Sequence, residues 1–169
     1  FAGTAQAYDN VALLLVGDGS ERDNLQDRVV HMGLANRVHF AGMVPYHELP
    51  RYLAAADAFV TASVTEVHPL SVIEAMAAGL PVLGIDSPGV GDLIDDGVNG
   101  LLVAEEDLAA FTAKMVRLVT SHEHRCRMGA QARLASQAYA IERTTQMMIE
   151  CYEKVLQSAA GRQHGFRVR

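Results

Sequence analysis

The chain has 169 residues, half hydrophobic and a fifth charged, which excludes wholesale disorder and allows one core without disulfide or metal staples. Fourteen lysines and arginines face twenty acids, for a net charge of −6, so no general nucleic-acid surface is expected and any phosphate ligand must be held locally. The longest apolar runs are far too short to span a bilayer. Two cysteines, Cys126 and Cys151, make no disulfide framework; both are expected on helices, partly buried and reduced. The chain opens on Phe1-Ala2-Gly3 rather than Met, so it is expected to start inside a longer protein. The lack of a secretory pattern is then weak evidence on location.

Short apolar runs alternate with helical patterns, the signature of a parallel sheet built from βαβ units. Residues 11–16 read as a buried strand ended by Gly17-Asp18-Gly19. Ser20 is a candidate cap for the next helix, with Glu21 and Asp23 in its first turn, Leu25, Val29 and Met32 as its stripe and Gly33 as its stop. Residues 38–41 form a second strand and 42–46 a loop. A helix over 48–56 tolerates Pro50 only in its first turn. A third strand covers 58–61, a loop 62–69 and a helix 71–78. Gly79-Leu80-Pro81 leads tightly into a strand at 82–85. A loop from Ser87-Pro88-Gly89 precedes a short helix near 92–94, a turn at 95–97 and a last strand at 101–103.

Beyond that strand the pattern is helical. Leu108, Phe111, Met115 and Leu118 share one face; Met128, Leu134 and Ala138 do so more loosely. A final helix carries Met147, Met148, Cys151, Val155 and Leu156, with the two methionines read as core filler. The expected organisation is one domain over 1–158 and a flexible basic tail over 159–169, with Arg162, Arg167 and Arg169 solvated or touching an acidic membrane surface.

The chemistry gathers in 65–76, Thr-Glu-Val-His-Pro-Leu-Ser-Val-Ile-Glu-Ala-Met. Two carboxylates bracket a strand-to-helix turn, Glu66 in the loop and Glu74 in the helix. Open α/β sheets bind ligands at the carboxyl ends of their strands. The N–H groups of Leu70, Ser71 and Val72 at a helix start suit a diphosphate. Carboxylates accept hydrogen bonds from sugar hydroxyls, so the turn fits a nucleotide sugar, with Glu74 on the ribose and Glu66 on the transferred sugar. A plainer reading stands beside it. Ser71-x-x-Glu74 is a capping box, and on local chemistry alone a cap is the commoner origin of such a pattern. Gly17-x-Gly19 followed by Arg22 lacks the third glycine of a dinucleotide site. His122-Glu123-His124 spaces its imidazoles two apart, off a common helix face, and reads as a solvated loop rather than zinc ligands.

The run from Glu66 to Val82 resembles the Glu-x7-Glu signature of the GT-B glycosyltransferases of family 4. Leu14-Leu15-Val16-Gly17-Asp18-Gly19, Val38-His39-Phe40-Ala41-Gly42-Met43-Val44, Ala56-Asp57-Ala58-Phe59-Val60 and Asp96-Gly97-Val98-Asn99-Gly100-Leu101-Leu102-Val103 resemble further stretches of that family in the same order. The resemblance covers residues 11–156. It implies a Rossmann-like donor-binding half followed by a helical C-terminal segment. The parent enzyme would transfer a hexose from a nucleotide-diphosphate sugar with retention and without metal or cofactor.

By that resemblance, Glu74 binds the donor ribose. Glu66 binds the transferred sugar and supports transition-state charge. Backbone at Leu70 and Ser71 meets the diphosphate, and Gly42, Met43 and Val44 flank the nucleobase. Gly17 and Gly19 let their loop approach the ligand, and Gly89 and Gly91 form a turn near the donor. The family commonly has Phe-Gly where this chain has His68-Pro69. Pro69 removes one N–H, and His68 is a candidate replacement contact to phosphate or sugar.

The resemblance also places a first strand, with a Gly-Arg and a downstream Lys, ahead of Phe1, together with an acceptor domain. The isolated chain is therefore expected to be inactive, cytoplasmic or peripheral to a membrane, and prone to self-association through open strand edges. The rival class is a non-catalytic nucleotide-binding or interaction module.

Overall fold

The computed structural model describes residues 1–163. Its elements are α1 (Ala2–Ala7), β1 (Leu13–Val16), α2 (Arg22–His31), β2 (Val38–Gly42), a 3₁₀ turn (Tyr46–Glu48), α3 (Leu49–Ala54), β3 (Phe59–Val60), α4 (Leu70–Ala77), β4 (Val82–Ile85), β5 (Gly100–Val103), α5 (Leu108–Thr120), α6 (His122–Ser136), a second 3₁₀ turn (Gln137–Tyr139) and α7 (Ile141–Gln163). The α/β alternation follows the apolar runs, and every predicted strand is present. The chain divides into two compact units, Phe1–Ala135 and a second beginning at Ser136.

All strand pairings are parallel, in two sheets: β1 beside β2, and β3-β4-β5 in that order. Parallel neighbours need a crossover. α2 lies in the connection from β1 to β2, and α4 in the connection from β3 to β4. The β1–β2 register runs from Leu13 opposite Val38 and slips at Leu15/Val16, after which Gly17 N–H donates to the Gly42 carbonyl.

The core lies around the second sheet. Leu83 and Leu101 face each other across β4 and β5, and Val103, Met115, Leu118 and Met128 complete their buried cluster. β4 is buried along its whole length. Such strands read as continuous apolar runs because both faces are covered. α6 closes tightly on the turn after α4: a Cβ on Gly129 would fall 2.1 Å from the Gly79 carbonyl oxygen.

Several expectations are corrected. The first helix, α1, has no apolar period and went unpredicted; it is held from outside. Arg37 donates to the carbonyls of Ala5 and Tyr8 at its end, and Thr4 and Ala5 are buried. Ser20 does not cap α2. The N-cap is Glu21 with no side-chain bond, and no residue of α2 is buried; of its stripe, Val29 is half-buried while Leu25 and the following Met32 are exposed. Residues 92 and 93 are turn and 94 is irregular, rather than helix. On α5, Met115 and Leu118 are buried but Leu108 is exposed, and Leu134 of α6 is exposed too.

His122-Glu123-His124 is the first turn of α6 rather than a loop, with His124 buried. Burial pushes the His124 imidazole below its ordinary pKa, and the charges of Arg117 and Arg127 act the same way. Both cysteines sit on helices as expected but are exposed, as are Met147 and Met148. The expected tail is helical as far as Gln163; the rest of it lies outside the described residues.

Candidate donor site at the strand carboxyl ends

α4 begins one residue earlier than its apolar pattern predicts. Its N-cap is Pro69, which has extended backbone and no side-chain cap bond. Proline's fixed φ suits a helix entry, and its missing N–H costs nothing there. This placement removes the capping box. Ser71 lies inside the helix, and the Glu74 carboxylate accepts a 2.7 Å hydrogen bond from the Tyr46 hydroxyl. The carboxylate holds the Tyr46 phenol above its ordinary pKa through that hydrogen bond and its charge. Glu74 is half-buried, at the wall of a depression of about 160 Å³ shared with Tyr46, His47, Leu49, Pro50 and Leu53. The segment leaving β2 and the helix following β3 therefore meet at this carboxylate.

The helix start offers fewer N–H groups than expected. Val72 N–H donates to the Pro69 carbonyl at 3.1 Å, which leaves Leu70 and Ser71 as outward donors. Both residues are exposed. Helix N-termini present such orphan N–H groups together with the positive end of the dipole.

Glu66 is exposed, and one carboxylate oxygen accepts from the Ser63 hydroxyl at 3.1 Å. Its backbone is pinned by the neighbouring loop. Gly89 has φ +82°, and a Cβ there would fall 2.5 Å from the Glu66 carbonyl oxygen. Only glycine fits both constraints. Gly91 N–H donates to the Ser87 carbonyl at 2.7 Å, and a Cβ on Gly91 would strike Asp86. Gly89 and Gly91 thus shape the loop against the one that carries Glu66. His68 is exposed in that loop.

On the other sheet, the Gly17–Gly19 loop is tied to the end of β2. Asp18 accepts from Gly19 N–H at 2.8 Å and from Arg22 at 2.7 Å. Those two bonds, led by the backbone one, hold the Asp18 carboxyl below its ordinary pKa. The Arg22 guanidinium lies against Gly42, which is buried with φ +70°; a Cβ there would be 3.1 Å from it. Met43 is exposed and Val44 half-buried.

The structure brings Glu66 together with Gly89, and Gly17 together with Gly42; Gly19 meets its own loop, at Asp18 and Arg22. Sequence reasoning missed Tyr46, Ser63 and Asp18, the polar neighbours of these groups. Tyr46 stands 28 residues from Glu74, so no local spacing signals it. Among the described residues no three His, Cys, Asp or Glu side chains form a metal-binding group, and no helix is long and apolar enough to cross a membrane.

The family model described as "Glycosyl transferases group 1" matches residues 1–135. The chain belongs to that family. Among its group 1 relatives, the alpha-monoglucosyldiacylglycerol synthase of Streptococcus pneumoniae is 32% identical over 126 residues, covering 73% of this chain and 29% of the relative. The 2-deoxystreptamine N-acetyl-D-glucosaminyltransferase of Streptomyces fradiae is 32% identical over 168 residues, covering 95% and 40%. The chain thus spans less than half the length of either. The crystal structure of the Anabaena protein HepE in complex with UDP superposes with a TM-score of 0.81 at 26% identity, covering 90% of this chain and 43% of that one. The parallel sheets flanked by helices are those of GT-B glycosyltransferases.

Proposed function

We propose that this chain is the donor-binding half of a retaining glycosyltransferase of family 4, which transfers a hexose from a nucleotide-diphosphate sugar to an acceptor. The observation that carries the reading is Glu74. A carboxylate with no capping duty is half-buried at the wall of a depression, on the helix that begins with the exposed residues Leu70 and Ser71. A ribose hydroxyl takes the place of the Tyr46 phenol on Glu74. The diphosphate lies at Leu70 and Ser71, where helix-end N–H groups stabilise the leaving charge. Glu66, held by Ser63 and by the Gly89 contact, faces the transferred sugar and supports its developing positive charge; we assign it no nucleophilic role. Gly42, Met43 and Val44 flank the base, beside the Gly17–Gly19 loop. His68 reaches sugar or phosphate where Pro69 offers no N–H. The donor is a substrate, and no metal or cofactor enters the scheme. The UDP complex of a 26% identical neighbour supports a nucleotide-diphosphate donor.

The acceptor domain and the missing basic pair belong to the same enzyme in this reading. The chain alone lacks transferase activity, because half a cleft neither excludes water nor clamps the diphosphate. The enzyme works in the cytoplasm, at the membrane surface where its acceptor is a lipid.

The test is Glu74→Ala in a version carrying the acceptor domain. Loss of a hydrogen bond from ribose to a carboxylate is expected to cost about 1.5–3 kcal/mol of donor affinity, read by calorimetry with UDP-, GDP- and ADP-sugars. Glu66→Ala is expected to lower kcat more than affinity. Unchanged donor affinity in Glu74→Ala, together with a lower melting temperature, would make Glu74 a purely structural residue.

A further inference from the structure

The segment after β2 ends in a short 3₁₀ turn, Tyr46–Glu48, whose first side chain reaches across to α4. The Tyr46 hydroxyl donates to Glu74 Oε1 at 2.7 Å, the length of a hydrogen bond to a charged acceptor. Glu74 is half-buried, so its carboxylate gains from a donor. The Tyr46 ring is 78% exposed, so little besides that bond holds it. The bond and the charge of the carboxylate hold the phenol above its ordinary pKa, which keeps it protonated and donating at neutral pH. Among the described residues that line the depression, no other side chain does the same for Glu74. His47 faces Glu48, with its Nε2 3.8 Å from that carboxylate, and Leu49, Pro50 and Leu53 carry no side-chain donor.

Given Glu74 as the ribose partner, on which this rests, we propose that Tyr46 sets the affinity and sugar specificity of the donor site, its hydroxyl competing with the donor ribose for the Glu74 carboxylate. A ribose presents two adjacent hydroxyls, and a carboxylate presents two acceptor oxygens. With Oε1 committed to the phenol, a ribose that engages both oxygens displaces it and exchanges one hydrogen bond for two. The exposed ring turns away into solvent by rotation between side-chain rotamers. Every ribonucleotide thus gives up part of its contact energy to release Tyr46. The measured affinity is the intrinsic one multiplied by the fraction of molecules in which Glu74 is released. A nucleotide without the two hydroxyls leaves the phenol on Glu74 and bears no such cost. Tyr46 therefore narrows the preference of the site for ribose over deoxyribose, the opposite of what a ribose-binding side chain does.

Calorimetry on the version that carries the acceptor domain decides it. The probes are UDP, GDP and ADP, and the 2′,3′-dideoxy form of whichever binds. Tyr46→Phe keeps the ring and removes only the hydroxyl. It is expected to bind the ribonucleotide about tenfold more tightly, the low end for a hydrogen bond to a charged acceptor, and the dideoxy form with unchanged affinity. A Tyr46→Phe that binds the ribonucleotide no better than the unaltered protein, or that binds both forms more tightly alike, overturns the proposal. The ribose reading is measured apart, by Glu74→Ala in the Tyr46→Phe background, where no phenol competes. Ribonucleotide affinity is expected to fall there by about tenfold or more. Unchanged affinity in that background, or binding of none of the three probes, removes the ribose partner and the proposal together. A fall there without any gain from Tyr46→Phe alone overturns the proposal and leaves Glu74 on the ribose.

Discussion

The runs 11–16 and 82–85 look alike in sequence, yet the two sheets they enter differ. β4 lies between β3 and β5 and is buried at every residue. In β1, Leu14 and Val16 are 39% and 40% exposed. Among the described residues, β1 pairs with β2 alone and β3 with β4 alone. An apolar run makes a strand fit for burial; neighbours on its edges and faces complete the burial. The helices differ in the same way: α5 and α6 place Met115, Leu118 and Met128 in the core, whereas α2 buries no residue.

That contrast is open to direct attack. The largest effect is expected from Leu83→Ala, which opens a cavity in the closed sheet at about 2–5 kcal/mol. Leu14→Ala in the open sheet is expected to cost about 1 kcal/mol or less. Urea unfolding measures both, and equal costs would mean that β1 is as buried in solution as β4.

Glycines make a second, smaller contrast. Gly129→Ala drives a methyl into the Gly79 carbonyl oxygen and is expected to cost about 1–3 kcal/mol. Gly19→Ala meets nothing within 4 Å and is expected to stay within about 0.5 kcal/mol. Thermal melts of the two variants rank them, and a costlier Gly19→Ala would reverse the assignment of rigid and open halves.

The open edges of β1 and β3 supply a third. Unpaired apolar edges invite another strand, and these two edges are where one would pair. Light scattering over a concentration series is expected to show association, and Leu14→Lys to weaken it. A strictly monomeric chain, as stable as one extended upstream, would mean that no strand belongs in that slot.

The smallest effect belongs to the closed half. Burial pushes the Asp96 carboxyl up, but the Leu102 N–H and the Lys114 ammonium outweigh it, and the net shift is downward. A lowered carboxylate stabilises the fold above its unfolded pKa, and that contribution disappears as the pH falls through the folded value. Asp96→Asn is therefore expected to melt slightly below the unaltered chain at neutral pH. The gap is expected to close below the ordinary aspartate range, about 3.9. A gap that persists in acid would assign the loss to the amide rather than to the charge.

Much of this protein was readable along the chain. β4 falls on the predicted residues, because four apolar positions after a Gly-Leu-Pro turn have little else to form. The α/β class and the spacing of Glu66 and Glu74 across a strand-to-helix turn also follow from local order. A helix with weak local signals was not readable. α1 exists because Arg37 and the packing surface of α5 hold it. The start of α4 moved by one residue, and with it went the capping box.

The sequence by itself determined where backbone conformation changes, since φ restrictions at Gly and Pro and the period of apolar residues act within a few positions. It also determined which side chains carry charge. Only the tertiary structure decided which of them meet: Tyr46 with Glu74, Gly89 with the Glu66 backbone, Arg125 with Asp57. It also decided that β1 stays half exposed while β4 disappears from solvent. Hydrogen bonds and burial depend on distance in space, and residues far apart in the chain become neighbours only when the strands and helices between them have packed.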